Sequence, residues 1–326
     1  MKVLYFCMNV GSAIERICSD KIEILSHFTG IDEIYVFSEQ CSRCISNIPE
    51  YISRIKPDLI FDEEGLHKYM HFDPIKFGEF PCCKVLMLQC PNTLDTSIYD
   101  FVICNFFTAR NREFYLPLSP GNIFVNREDP RNKQFVALAR LVDTRFSDEL
   151  QNKIKNRFGI IDLFSCNKED DKQHVCFNYC GCLTRSEISD VLNLYKYLIV
   201  SYDECLSIPL REALLCGCLP IICDRKSYYT YRKTYADDLL RFVGWFEDDD
   251  KILHEKWQFL QDKNTQKCLS NIVGAEYMIL RFLEIMRSIT GYDHKIRDSK
   301  CKITYLHNTQ SDITLDSGFN WDKISL

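Results

Sequence analysis

The chain has 326 residues, which at roughly 150 per domain suggests two domains. Its 46% hydrophobic and 26% charged residues are an ordinary globular composition, which excludes a disordered, collagen-like or low-complexity protein. Forty Lys and Arg against 46 Asp and Glu leave a net charge of −6, without the basic excess that nucleic-acid binding requires, so no nucleic-acid partner is expected.

The amino terminus opens on the apolar run 2–7, and polar Asn9 and Gly11 follow where the core of a secretion signal would continue. The run is therefore read as a buried first strand and the protein as cytoplasmic. No apolar run approaches the ~18–20 residues of a membrane span, although peripheral attachment through a surface patch is left open. Further strand-like runs follow at 33–37, 58–61, 84–88 and 100–105, with helix-like stretches at 12–28 and 44–55. Strand–helix alternation of this kind predicts a parallel α/β sheet.

Between about 116 and 133 the pattern breaks into LPLSPGNIFVNREDPRNK, with three prolines and mixed charge, and this is read as a linker. The alternation restarts with strands at 134–138, 160–164, 197–201 and 219–223. Thr184-x-x-Glu187 is a capping-box pattern that predicts a helix start. A further helix is expected over 275–289, and run 247–251, EDDDK, is read as a solvated loop. The resulting division is 1–118, 119–284 and a tail 285–326, which in this reading crosses back to the first domain. Two such α/β domains make a cleft, and ligands of parallel sheets bind outside the carboxyl ends of the strands.

The 18 cysteines lie largely in apolar runs, such as CCKVLMLQC from Cys82 and ALLCGCLPIIC from Ala213, and are read as free thiols acting as small hydrophobes. Cys41-x-x-Cys44 has no second pair at zinc-site spacing, and Cys180/Cys182 and Cys216/Cys218 each straddle a glycine at an element end. No metal site is expected. His67 and His71, in GLHKYMH, are not assigned a catalytic role.

The segment that carries chemistry is 201–224, SYDECLSIPLREALLCGCLPIICD. A strand ends at Ser201, a polar turn holds Asp203 and Glu204, and Pro209 suits a first helical turn. Gly217 suits a left-handed cap, and Pro220 stops the helix before the next strand. The helix amino end near Leu206–Pro209 is a ready phosphate site, while Glu204 before it and Glu212 inside it can accept hydrogen bonds from hydroxyls. Hydroxyls on both sides of a diphosphate describe a nucleotide sugar.

Glu204-x7-Glu212, followed by Ala213, Gly217 and Pro220-Ile221-Ile222, resembles the E-x7-E motif of GT-B glycosyltransferases, especially the retaining glycosyltransferase family four. The resemblance implies that Glu204 contacts the donor sugar, that Glu212 holds the ribose, and that the amides of Leu206 and Ser207 meet the donor phosphate. FVALARLVDTR, 135–145, resembles the segment opening that family's carboxyl-terminal domain. Arg140 and Arg145 stand there at the spacing of the family's arginine and lysine, which face the diphosphate; two fixed cations can neutralise it without a metal. Gly11 in NVGSAIER resembles the family's glycine-bearing loop after the first strand, where a backbone without Cβ approaches the donor closely. Tyr179-Cys180-Gly181 resembles the segment beside the base, and Lys56-Pro57-Asp58-Leu59-Ile60 resembles the start of a family strand. The sequence departs from the pattern at Gln89 and Cys90, where the family often has a histidine, and lacks the glycines common before the E-x7-E helix.

The resemblance implies a GT-B fold of two Rossmann-like domains facing across a cleft. It also implies metal-independent, retaining transfer of a hexosyl or pentosyl group from a nucleotide-diphosphate sugar to a hydroxyl of a glycan or glycolipid. No cofactor is expected. A nucleotide-sugar epimerase and an inactive GT-B binding or assembly protein are the alternatives.

Overall fold

A computed structural model describes residues 1–7, 13–38, 48–63, 65, 77–88, 96–105, 113–117, 119–138, 146–165, 175–200, 208–223, 237–306, 319, 321 and 324. The chain divides into two units, Met1–Leu118 with Met278–Leu326, and Ser119–Tyr277.

In the first unit the apolar run at the amino terminus forms β1 (Lys2–Cys7), in which Val3, Leu4, Tyr5 and Phe6 are fully buried. A strand apolar on both faces is what a parallel sheet covered on both sides demands. Around it lie β2 (Glu33–Ser38), β3 (Leu59–Glu63), β4 (Cys83–Leu88), β5 (Phe101–Cys104), β6 (Glu113–Tyr115) and β13 (Lys302–Tyr305), in the order β13-β2-β1-β3-β4-β5-β6. Every pairing in this sheet is parallel. Helix α1 (Ala13–Ser26) follows β1, and α2 (Ile48–Ile55) precedes β3. Asp58 sets the start of β3 by accepting the Lys2 amide at 2.7 Å.

The carboxyl-terminal residues complete this unit. Helix α8 (Ala275–Thr290) leads to β13, which extends the sheet beside β2 with Lys302 opposite Glu33. Beyond it, Trp321 stacks on His27 of the α1 end with ring centroids 3.7 Å apart and donates to Glu23 Oε1 at 3.0 Å. Lys300 reaches the same carboxylate at 2.6 Å. This cover explains why residues 17–28 are all buried, polar Asp20, Lys21, Glu23 and His27 included.

The second unit holds β7 (Lys133–Leu138), β8 (Ile161–Phe164), β9 (Phe177–Tyr179), β10 (Tyr195–Val200), β11 (Leu219–Ile222) and β12 (Gly244–Trp245), in the order β12-β11-β10-β7-β8-β9 and again all parallel. Its helices are α3 (Asp148–Phe158), α4 (Arg185–Leu194), α5 (Ile208–Leu215), α6 (Asp250–Gln261) and α7 (Lys263–Val273). The predicted capping box opens α4: Thr184 Oγ1 accepts the Glu187 amide at 3.3 Å, and Glu187 accepts the Thr184 amide at 2.7 Å. Run 247–251 is largely exposed, as read from the sequence, but its last two residues already belong to α6. Asp249 caps α6 by accepting the Ile252 amide at 2.8 Å, and Asp248 binds Lys256 at 2.6 Å, as acidic residues at a helix amino end should.

The stretch read as a linker is irregular but held to the second unit. Arg185, Ser189 and Asn193, four residues apart along α4, donate to the carbonyls of Pro120 (2.7 Å), Ile123 (3.0 Å) and Val125 (3.1 Å). Arg131 then donates to Leu192 O at 2.6 Å, to Tyr195 O at 2.7 Å and to Cys216 O.

Gly217 ends α5 with φ +73°, as predicted for a left-handed cap, and a Cβ there would lie 2.6 Å from Asn126 Nδ2 and 2.9 Å from Arg131 Nη2. Gly217→Ala is therefore expected to cost about 2–3 kcal/mol, combining left-handed strain with displacement of the Arg131 anchor. Urea unfolding measures this, and a loss below about 0.5 kcal/mol would show that the cap is not constrained.

Candidate functional site

The strand order of the second unit reverses at β7. Strands β8 and β9 lie to one side, while β10, β11 and β12 lie to the other. In open parallel sheets the carboxyl ends of the two strands at such a reversal border the ligand crevice. Here those ends are Leu138 of β7 and Val200 of β10. In sequence, Arg140 and Arg145 follow the first, and Glu204, Leu206 and Ser207 follow the second, directly before α5. These five residues, and Gly11 after β1, lie outside the described residues.

Glu212 is described. It stands in the middle of α5, an eight-residue helix in which every residue except Pro209 is buried, and it has no exposed surface. A helix enclosed on all sides is expected to be apolar throughout, so buried Arg211 and Glu212 are the two residues that packing alone does not explain. The helix is fixed from its far end. Cys218 N donates to Ala213 O at 2.8 Å, Gln261 Nε2 to Gly217 O at 2.7 Å, and Gln266 Nε2 to Leu214 O at 3.2 Å.

The cysteines around α5 behave as predicted for small hydrophobes. Cys216, Cys218 and Cys223 are buried free thiols, and burial pushes the Cys218 thiol up to about 12, which keeps it protonated and inert at neutral pH. The expectation of free thiols throughout is corrected at Cys182, which is disulfide-bonded. Cys182 is exposed and follows Gly181, whose φ is +100°, so its sulfur is not enclosed by core.

Sequence reasoning missed a polar cluster at the carboxyl end of β3 in the first unit. The parallel register sets Phe61 beside Tyr5 and Asp62 beside Phe6, so Glu63 shares the face of Tyr5 and Asp62 takes the other. Glu63 accepts from Tyr5 Oη at 2.6 Å and from Lys21 Nζ of α1 at 2.8 Å; on the opposite face Asp62 accepts from Tyr99 Oη at 2.6 Å. Burial first, and then the neighbouring carboxylate, push both phenols well up, so both remain hydrogen donors. The sign in the sequence is the pair Asp62-Glu63 closing an otherwise apolar strand. A groove of about 750 Å³ lined by Asp58, Phe80, Cys83, Lys84 and Asp100 lies at the amino ends of β3, β4 and β5, the opposite end of the sheet. Among the described residues no three His, Cys, Asp or Glu side chains gather as a metal site, and no helix is long and apolar enough to cross a membrane.

No protein-family model matches the chain, and no curated protein matches it in sequence. Solved structures match its fold at low identity. Sucrose-phosphate synthase from Thermosynechococcus elongatus superposes with a TM-score of 0.62 at 10% identity, over 89% of this chain and 99% of that one. HepE from Anabaena, solved in complex with UDP and glucose, gives 0.60 at 12% identity, over 88% and 100%. The UDP-GlcNAc 2-epimerase of Methanocaldococcus jannaschii gives 0.52 at 11% identity, over 88% and 100%. With two all-parallel α/β units and near-complete coverage of these structures, the chain has the GT-B fold.

Proposed function

We propose that this chain is a glycosyltransferase that moves a sugar from a nucleotide-diphosphate sugar to an acceptor hydroxyl of a glycan or glycolipid, with retention of configuration and without a metal. The observation that carries the proposal is the strand reversal in the second unit. Of all the loops in that sheet, the two that follow β7 and β10 hold Arg140, Arg145 and Glu204, and buried Glu212 sits on the helix that the second loop enters. In this reading the arginines and the α5 amino end take the diphosphate, Glu212 takes the ribose, and Glu204 and the backbone at Gly11 take the sugar. The first unit binds the acceptor. That HepE was solved with UDP-glucose supports uridine donors as the first to test.

Thermal shift in EDTA with UDP-, GDP-, ADP- and dTDP-sugars tests this, with a CMP-sugar as the monophosphate control. A ligand that binds only the native state stabilises it by RT ln(1 + [L]/Kd), about 2.7 kcal/mol at 100 Kd. A rise of several degrees with one diphosphate sugar, unaffected by EDTA, is the expected result. No shift from any of them with folded protein would overturn the reading. The epimerase match supports a second reading, in which the same nucleotide site serves epimerisation; identifying the product formed without any acceptor separates the two.

A further inference from the structure

We infer that the groove at the amino ends of β3, β4 and β5 is a binding site for a neutral oligosaccharide. The inference stands apart from the proposed function, since such binding needs neither a nucleotide nor turnover. At about 750 Å³ the groove falls within the range of about 300–1,000 Å³ typical of small-molecule sites. It belongs to the first unit alone, at the end of the sheet away from the carboxyl ends of β1 and β3.

The strand starts hold its polar groups in place. Asp58 accepts the Lys2 amide at 2.7 Å and Asp100 accepts the Lys84 amide at 2.8 Å, each through Oδ2. Each carboxylate therefore keeps a second oxygen, Oδ1, that can accept from a ligand. The backbone ladder fixes their spacing, because Cys83 N donates to Asp58 O at 3.2 Å and Asp100 N to Lys84 O at 2.9 Å. The two residues thus flank the start of β4, about 10 Å apart across two strand spacings. Between them Lys84, only 6% exposed, donates from Nζ to Phe80 O at 2.8 Å and to Cys82 O at 3.0 Å. An ammonium has three hydrogens, so one remains for a ligand.

This mixture of charges selects the ligand. A site for a cation would not keep a fixed ammonium in its wall, and a site for an anion would not hold two carboxylates. A neutral ligand rich in hydroxyls suits both, since a hydroxyl donates to a carboxylate and accepts from an ammonium. Phe80 and Phe101, both half-buried, add apolar wall, which suits the C–H face of a sugar ring.

The test titrates the whole chain, without nucleotide, against maltohexaose, cellohexaose, N-acetylchitohexaose, mannohexaose and xylohexaose by calorimetry. Spermidine and a sulfated oligosaccharide serve as charged controls. At least one neutral member is expected to bind saturably. Asp100→Asn keeps an oxygen for the Lys84 amide but turns the remaining acceptor into a donor, and it should weaken that binding about tenfold. Phe80→Ala should weaken it as well, with melting curves to check that both variants fold. A second readout needs no variant. Cys82 and Cys83 line the groove as half-buried free thiols, so the bound oligosaccharide should slow their maleimide labelling. Cys301, a half-buried free thiol of the same unit outside the groove, should react at an unchanged rate. Four results would each overturn the inference: no binding by any neutral member, preference for a charged control, binding insensitive to both substitutions, or Cys82 and Cys83 left unprotected.

Discussion

Lys21→Met is expected to destabilise the protein by about 3–5 kcal/mol, because it removes the buried ammonium that faces the Glu63 carboxylate. Both side chains are essentially inaccessible, at 1% and 0% exposure, and their ammonium–carboxylate distance is 2.8 Å. Methionine nearly matches the length and volume of lysine, so the loss reports charge rather than a cavity. The Tyr5 hydroxyl, 2.6 Å from the other Glu63 oxygen, supplies one hydrogen bond but no charge. A second substitution separates the two contributions. Glu63→Gln in the Lys21→Met background removes the carboxylate charge that Lys21 faced while an amide oxygen still accepts from Tyr5, and it should recover most of the loss. Urea unfolding of the single and double variants measures both. A single-variant loss below about 1 kcal/mol would mean that water reaches Glu63 and that the pair contributes no more than a surface salt bridge.

This cluster also marks where sequence reading stopped. Strands 2–7, 84–88 and 219–223 were legible within a residue or two because both of their faces are buried, which leaves continuous apolar runs. The α4 start was legible because a capping box is a local pattern whose two hydrogen bonds involve residues three apart. Strands β9 and β12, three and two residues long, carry no pattern of their own and are defined only by the neighbours they pair with. Helix α3, DELQNKIKNRF, buries only Gln151 and Ile154, too few for an apolar stripe. The Lys21–Glu63 contact spans 42 positions, and nothing local in either segment indicates the other. For the candidate site, the spacing of Glu204 and Glu212 was readable because it is local in the sequence. That β7 and β10, the strands that precede the arginines and Glu204 in sequence, are adjacent at the strand reversal follows only from strand order.

If Glu204 contacts the donor sugar, Glu204→Ala should lower kcat for transfer by at least about 10²-fold, roughly 2.7 kcal/mol of transition-state stabilisation. Sugar transfer passes through an oxocarbenium-like state, whose positive charge a nearby carboxylate favours over the neutral donor. The loss should therefore appear mainly in kcat, while affinity for the free nucleoside diphosphate stays within about threefold of wild type. Arg140→Ala and Arg145→Ala should behave differently. In the proposed site each removes a cation that would face the diphosphate in both ground and transition states, so nucleotide affinity should fall along with turnover. If Glu212 holds the ribose as proposed, Glu212→Gln should weaken nucleotide binding by about 1–2 kcal/mol. Because Glu212 is wholly buried in α5, its variant also needs a melting curve, so that a folding defect is not counted as lost binding. Glu204→Ala, before the helix in sequence, is checked by the same melting curve. Unchanged transfer by Glu204→Ala would remove it from the site, whatever the nucleotide measurements show.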